Sequence, residues 1–259
     1  MITKLNIVCY KWGNLYDSAY VNILFASVKR NLSVPFDFYC LTDDTTGLNP
    51  NIIARSFPPE ALIGNGAKLY TFSANFLGLT SEDYVVSLDL DVVIVGSLEF
   101  LLEKPEHDFI IAPHRYSRAN SRGHGAVYRL RVNSHTQIWN NFISDPIACG
   151  KQFAVRTGGG RLSEQRWLEH CFPGKKMKFF TEGKVIIFRV DCASRSWTWR
   201  LGDAASRMGI TFASYGKARL PGANESIVSF SGPVNPLDVK EAHCGHYRHT
   251  PFVSQYWRL

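Results

Sequence analysis

Two aspartates stand two residues apart inside an apolar run, Val85-Val86-Ser87-Leu88-Asp89-Leu90-Asp91-Val92-Val93-Ile94-Val95. In extended backbone, residues i and i+2 share a face, so both carboxylates would point the same way, about 6 to 7 Å apart. Two ionised carboxylates at that spacing repel by roughly 2.5 kcal/mol at an effective dielectric of 20, a cost that a bound cation removes. Oxygen-only ligands suit Mg²⁺ or Mn²⁺. A solvated acidic loop has no need of Val, Leu and Ile on both sides, so the flanks favour a metal role over a simple loop after a strand.

The same residues also fit the D-x-D-x-[TV] nucleophile loop of haloacid-dehalogenase-like phosphatases, with Asp89 as nucleophile. Position argues against that reading, because the loop normally follows the first strand of its chain and here two strands precede it. The later acidic motif is poor as well, since Gly202-Asp203 is followed at the expected spacing by Arg207.

The elements that must position the pair follow from hydrophobic periodicity. Residues 5–10 form a branched apolar run that predicts a buried strand. A helix follows, capped by Asp17 or Ser18, with Tyr20, Val21, Leu24, Phe25, Val28 and Leu32 on one face. Residues 34–41 read as the next strand, which completes a βαβ unit and argues for a mostly parallel, doubly wound sheet. Residues 49–66 are rich in Pro and Gly, 68–77 read as a helix, and 84–88 as a strand running into the acidic pair. In an open α/β sheet, ligands sit outside the carboxyl ends of strands, where this pair falls. Beyond it we expect a strand at 109–112, a polar loop at 117–125, a helix at 132–142, a glycine loop at Gly158-Gly159-Gly160, a helix at 164–172 and a strand at 185–190.

Composition bounds the class. The chain has 259 residues, 45% of them hydrophobic, and 29 Lys+Arg against 22 Asp+Glu give a net charge of +7. That supports a full-sized core and excludes disordered and fibrous classes. The most apolar stretch, residues 84–102, carries Asp89, Asp91 and Glu99, so no membrane span is expected. The opening run is interrupted at Lys11, too soon for a signal peptide, and a cytoplasmic protein is expected. Six cysteines without a C-x-x-C pair read as reduced thiols. Positive charge suits anionic partners such as nucleotide phosphates, an acidic glycan or a membrane surface, and no nucleic-acid-binding signature is present.

Several further segments occur in a set order: Tyr10-Lys11-Trp12-Gly13, Tyr20-Val21-Asn22-Ile23-Leu24, Cys40-Leu41-Thr42-Asp43-Asp44, Ala67-Lys68-Leu69-Tyr70-Thr71-Phe72, then the acidic motif running on to Gly96-Ser97-Leu98. Ser163-Glu164-Gln165-Arg166-Trp167-Leu168 and the segment 227–236 complete the series. In these residues the chain resembles bacterial glycosyltransferases of the GT-A fold, distantly similar to glycogenin and the family-8 galactosyltransferases. The resemblance implies a single GT-A-like α/β domain over 1–259, nucleotide-sugar-binding to about residue 115 and acceptor-binding from about 116. It implies a nucleotide-sugar donor, a UDP-sugar foremost, a glycan, lipid-linked or other acceptor, and Mn²⁺ or Mg²⁺ with Asp89 and Asp91 as metal and ribose ligands. Tyr10, Lys11 and Trp12 would line the nucleotide pocket and Lys68 would reach the donor. Glu164 and Gln165 stand where the family has Asp-Gln, with Gln165 near the anomeric carbon and Glu164 near sugar or acceptor hydroxyls. Retention of anomeric configuration is implied by the same kinship.

One departure matters: the family's His-Gly-x-x-Lys-Pro segment is here Ser231-Gly232-Pro233-Val234-Asn235-Pro236. The third metal ligand and a phosphate contact are missing, and His243 and His246 are the candidates for the ligand, Lys240 for the phosphate contact. A catalytically degenerate sugar-nucleotide-binding protein is the non-enzymatic alternative. The C-terminal stretch 246–259 mixes aromatic and basic residues. It either completes the core or makes peripheral contact with the inner face of a membrane.

Overall fold

The computed structural model describes residues 2–114, 122–154, 162–172, 177–193, 218–230, 232, 234–242, 244 and 247–259, with the side chains of 63–65 left aside. The described strands are β1 (Leu5–Lys11), β2 (Phe36–Thr42), β3 (Ile53–Arg55), β4 (Tyr84–Leu88), β5 (Val92–Ile94), β6 (Phe109–Pro113), β7 (Gly123–Arg131), β8 (Val185–Ile187) and β9 (Ile227–Ser229). The described helices are α1 (Ser18–Asn31), α2 (Gln137–Ser144), α3 (Pro146–Gln152), α4 (Glu164–Cys171), α5 (Pro236–Lys240) and α6 (Pro251–Tyr256). Two compact units divide the chain, one of Met1–Asn22, Leu32–Leu90 and Glu99–Glu182, the other of Ile23–Asn31, Asp91–Leu98 and Gly183–Leu259.

The first unit holds a six-stranded sheet in the order β3-β2-β1-β4-β7-β6. β1 pairs in parallel with both β2 and β4, and β2 with β3. β7 pairs antiparallel with β4 and with β6, so it alone runs against the other five. All seven residues of β1 are buried, as expected of a central strand covered on both faces. α1 starts where the Asp17 carboxylate accepts from the N–H groups of Ala19 (3.0 Å) and Tyr20 (3.4 Å), and it buries Tyr20, Val21, Leu24 and Val28. Lys29 and Arg30 in its last turn complement the helix dipole. On β7 the fully buried Arg129 donates to the carbonyls of Glu103 (2.7 Å) and Lys104 (2.8 Å), so the backbone solvates its charge in place of a carboxylate.

A large core cluster joins the sheet to α2 and α4 through Phe72, Phe109, Tyr128, Phe142, Trp167 and Leu168. The Trp167 indole N–H donates to the Ile138 carbonyl at 3.2 Å, fixing α4 against the segment that opens α2. In the second unit β9 lies between β5, antiparallel, and β8, parallel. Phe252, Val253 and Trp257 are buried there, so these residues of the C-terminal stretch serve the core.

The structure departs from the sequence expectations at four elements. The helix expected over 68–77 is instead two 3-10 turns, Ala67–Phe72 and Phe76–Gly78. Asn75 and Leu77 adopt left-handed backbone (φ 51° and 56°), and the Asn75 N–H is taken by the Asn133 side chain at 2.7 Å, which ends helical continuity. Of the polar loop expected at 117–125, residues 117–121 lie outside the described residues and Gly123, His124 and Gly125 belong to β7, while the helix expected at 132–142 begins only at Gln137, after a turn with Asn133 at φ 67°. The strand expected at 185–190 stops at Ile187, where the Asp191 carboxylate accepts the Ile187 N–H at 2.8 Å and the chain turns. Among the described residues no helix is long and apolar enough to cross a membrane, and all six cysteines are free.

Candidate active site

The order β3-β2-β1-β4 reverses direction between β1 and β4, and ligands of open α/β sheets bind at such a point, outside the carboxyl ends of the strands. Tyr10 and Lys11 close β1, and Asp89 follows the last residue of β4. The expectation of extended backbone through both aspartates is corrected: Leu90 and Asp91 form a turn between β4 and β5. The cause is a change of partner, since Asp89 donates its N–H to the Ala126 carbonyl (3.0 Å), while the Asp91 carbonyl accepts from Phe230 (2.9 Å).

Lys68 is the hub. It rides on the 3-10 turn Ala67–Phe72, and its ammonium contacts three oxygens: the Asp89 carboxylate in a short ion pair, Glu164 Oε2 at 3.3 Å and the Gly125 carbonyl at 3.1 Å. Those three acceptors match its three N–H donors. Burial alone would lower the ammonium's pKa, but Asp89 and Glu164 outweigh it and hold it above the usual lysine range. Glu164 is pushed up by burial and by Asp89, against Lys68. It is the first residue of α4, whose cap, the Ser163 hydroxyl, accepts from Arg166 N–H at 3.4 Å. Both Glu164 and Gln165 lie against β7 at Gly125, where an added Cβ would stand 3.3 Å from Glu164 Oε1 and 3.7 Å from Gln165 Cγ.

Beneath Lys68 is a buried hydroxyl network. Its carbonyl accepts from the Thr71 hydroxyl (2.8 Å) and the Tyr128 hydroxyl (3.2 Å), and Tyr10 and Thr71 share a short hydrogen bond. Burial pushes the Tyr10 phenol up to about 12, so it is neutral and serves as a strut for the Lys68 turn. Lys11 is buried with its ammonium 3.8 Å from the Asp44 carboxylate, and Trp12, 38% exposed, sets an edge against Phe57. Of these three, Trp12 alone offers a large solvent-facing surface.

Sequence reasoning missed His124. It is buried on β7 between two glycines, its imidazole 5.8 Å from that of His114, and burial lowers its pKa to about 4 despite the opposing pull of Asp89. Its Nδ1 and Glu164 Oε1 are buried with no hydrogen-bond partner among the described residues. The available signal was Gly123-His124-Gly125 itself: a Cβ at Gly123 would come within 2.6 Å of Ile111 Cδ1, so this glycine marks close packing of a strand and not a loop.

The candidate third ligands His243 and His246 lie outside the described residues, as does Ser231. Among the described residues no three of His, Cys, Asp and Glu gather into a group able to hold a metal ion. Lys240 lies in the second unit, with its ammonium 5.8 Å from the centre of the Trp257 ring.

No protein-family model matches the chain, and no curated protein matches it. Solved structures do. The glycosyltransferase GlyE of Streptococcus pneumoniae TIGR4 superposes with a TM-score of 0.59 at 14% identity, over 99% of this chain and 61% of its own. The galactosyltransferase LgtC, solved with donor and acceptor sugar analogs, gives 0.52 at 13% identity over 90% of this chain and 89% of its own. The bifunctional glycosyltransferase WbbM gives 0.56 at 12% identity over 93% and 48%. This chain thus spans about three fifths of the length of GlyE and half that of WbbM. The sheet order and these superpositions together establish that the chain adopts the GT-A-like α/β fold of the glycosyltransferases.

Proposed function

We propose that this chain transfers a sugar from a nucleotide-sugar donor, a UDP-sugar foremost, to a hydroxyl of a glycan, lipid-linked or other acceptor. The observation that carries the reading is the convergence of Lys68, Asp89 and Glu164 outside the carboxyl end of β4, next to the reversal of strand order. The complex of LgtC with donor and acceptor analogs supports the same division of substrates here. The buried Glu164 Oε1 and His124 Nδ1, both lacking a partner among the described residues, suit hydroxyl groups of a sugar. Gln165, beside Glu164 on the first turn of α4, would face the anomeric carbon, and the kinship argues for retention of configuration.

A divalent cation fits the donor chemistry in one specific sense. Asp89 and Asp91 offer oxygen only, and Mg²⁺ is commonly held by one or two carboxylates plus substrate phosphates, so no third protein ligand is demanded. Bound there, Mn²⁺ or Mg²⁺ would supply charge neutralisation for the leaving diphosphate. The chain's own contribution is Lys68, whose ammonium is paired with Asp89, and the Tyr10–Thr71–Tyr128 hydroxyls that hold its turn in place.

Thermal unfolding against nucleoside diphosphates and their sugars, with Mn²⁺, Mg²⁺ or EDTA, tests the proposal, because a ligand of the native state raises its melting temperature. One nucleotide series should stabilise, more so with metal, and its sugar should then be transferred. Indifference to every nucleotide sinks the reading. Donor binding without turnover points to the degenerate binding protein, and phosphate release without sugar transfer to the phosphatase, although Asp89 follows the fourth strand in chain order and is already paired with Lys68.

A further inference from the structure

Lys68 does more than stand near the donor. Its ammonium is held by the two carboxylates of Asp89 and Glu164 and by the Gly125 carbonyl, a complete set of acceptors for three N–H donors. The pair of carboxylates carries two negative charges in a mostly buried setting, and Lys68 cancels one of them. A carboxylate offered to a divalent cation is therefore already occupied by a cation belonging to the chain.

We propose that Lys68 is a built-in counter-cation that guards Asp89: in the nucleotide-free protein its ammonium excludes a free divalent ion from that carboxylate, and a diphosphate admits the ion by offering Lys68 other oxygens. The proposal rests on the donor reading above and adds an order to it, cation and diphosphate entering together. The physical reason is charge. A lone divalent ion at Asp89 would sit beside a like-charged ammonium that cannot leave without losing its own partners. The same ion arriving with a diphosphate brings compensating negative charge, and phosphate oxygens are strong acceptors for an ammonium released from Asp89. Binding of the two is then cooperative, and the coupling is reciprocal.

The test is Mn²⁺ titration followed by the electron paramagnetic resonance of the free ion, on the wild type and on Lys68→Met and Lys68→Gln. Mn²⁺ alone should bind both variants at least about tenfold more tightly than the wild type, because a like charge has been removed. Adding Asp89→Asn to either variant should abolish that gain. In the wild type, UDP should tighten Mn²⁺ binding at least about tenfold, and this arm needs no substitution. Equal Mn²⁺ affinity in the wild type and in folded Lys68 variants, or tight Mn²⁺ binding by the wild type without nucleotide, overturns the proposal. If no nucleoside diphosphate binds any of the proteins, the donor reading falls, while the titrations with Mn²⁺ alone still decide whether Lys68 guards Asp89.

Discussion

At the scale of single residues, the site is a problem of charge in a confined space. Asp89 is engaged by Lys68, and Asp91 follows it in the turn between β4 and β5. Asp89→Asn and Asp91→Asn should each lower the transfer rate by about a hundredfold or more, the usual scale for losing a group that stabilises developing charge. Initial rates with the donor picked out by thermal unfolding check this, and an unchanged rate in either variant removes that residue from the mechanism. His124 makes a prediction about pH. Its folded pKa of about 4 lies below its ordinary 6.5, so the unfolded chain binds the proton more readily. Its contribution to stability is therefore present above 6.5 and lost as pH falls towards 4, a span worth about 3 kcal/mol. Urea midpoints at pH 7, 5.5 and 4.5 should drop less for His124→Asn than for the wild type. Equal slopes would mean that this imidazole is not held neutral by the fold.

At the scale of elements, the turn that carries Lys68 is set by its neighbours. Gly66 precedes it and accepts the Leu69 N–H at 2.8 Å, and a Cβ on Gly66 would lie 2.1 Å from the ring of the buried Phe142. That ring is fixed between Trp139 and Trp167 in the core. Gly66→Ala should cost about 2 to 3 kcal/mol of stability, the scale of overpacking, and should weaken nucleotide binding by displacing the turn. Gly13→Ala is the contrast: nothing lies within 4 Å of its Cβ, but its φ of +63° predicts a loss of only about 1 kcal/mol from backbone strain. Denaturant midpoints of the two variants separate packing from conformation. A smaller loss for Gly66→Ala than for Gly13→Ala would contradict the packing account.

At the scale of the whole molecule, the C-terminal stretch decides between core and membrane. Phe252 is 1% exposed and Trp257 3%. Phe252→Ala should therefore cost about 3 to 5 kcal/mol in chemical denaturation, as for other buried aromatics. A variant of unchanged stability that has lost sedimentation with anionic liposomes would instead make the stretch a membrane contact. All six cysteines being free, a reducing agent should leave the melting temperature where it is.

Much of this could be read from the sequence. β4 was legible to the residue, and β1, α1 and α4 nearly so, because apolar periodicity and an Asp or Ser cap are local signals. The candidate residues Lys68, Asp89 and Glu164 were legible as residue types in a family's order. β7 was not, because a strand buried on almost every residue shows no alternation, and its first residues, Gly123, His124 and Gly125, read as loop. The meeting of Lys68 with Glu164, 96 positions later in the chain, was also invisible: it depends on α4 docking through Trp167 and on Gly125 leaving room beside the carboxylate. By itself the sequence determined which side chains could do chemistry and which segments could be strands and helices, since both are properties of neighbours along the chain. Tertiary structure alone decided that an ammonium sits on Asp89 and a neutral imidazole lies near it, because burial and charge pairing are set by groups that only the sheet order brings together.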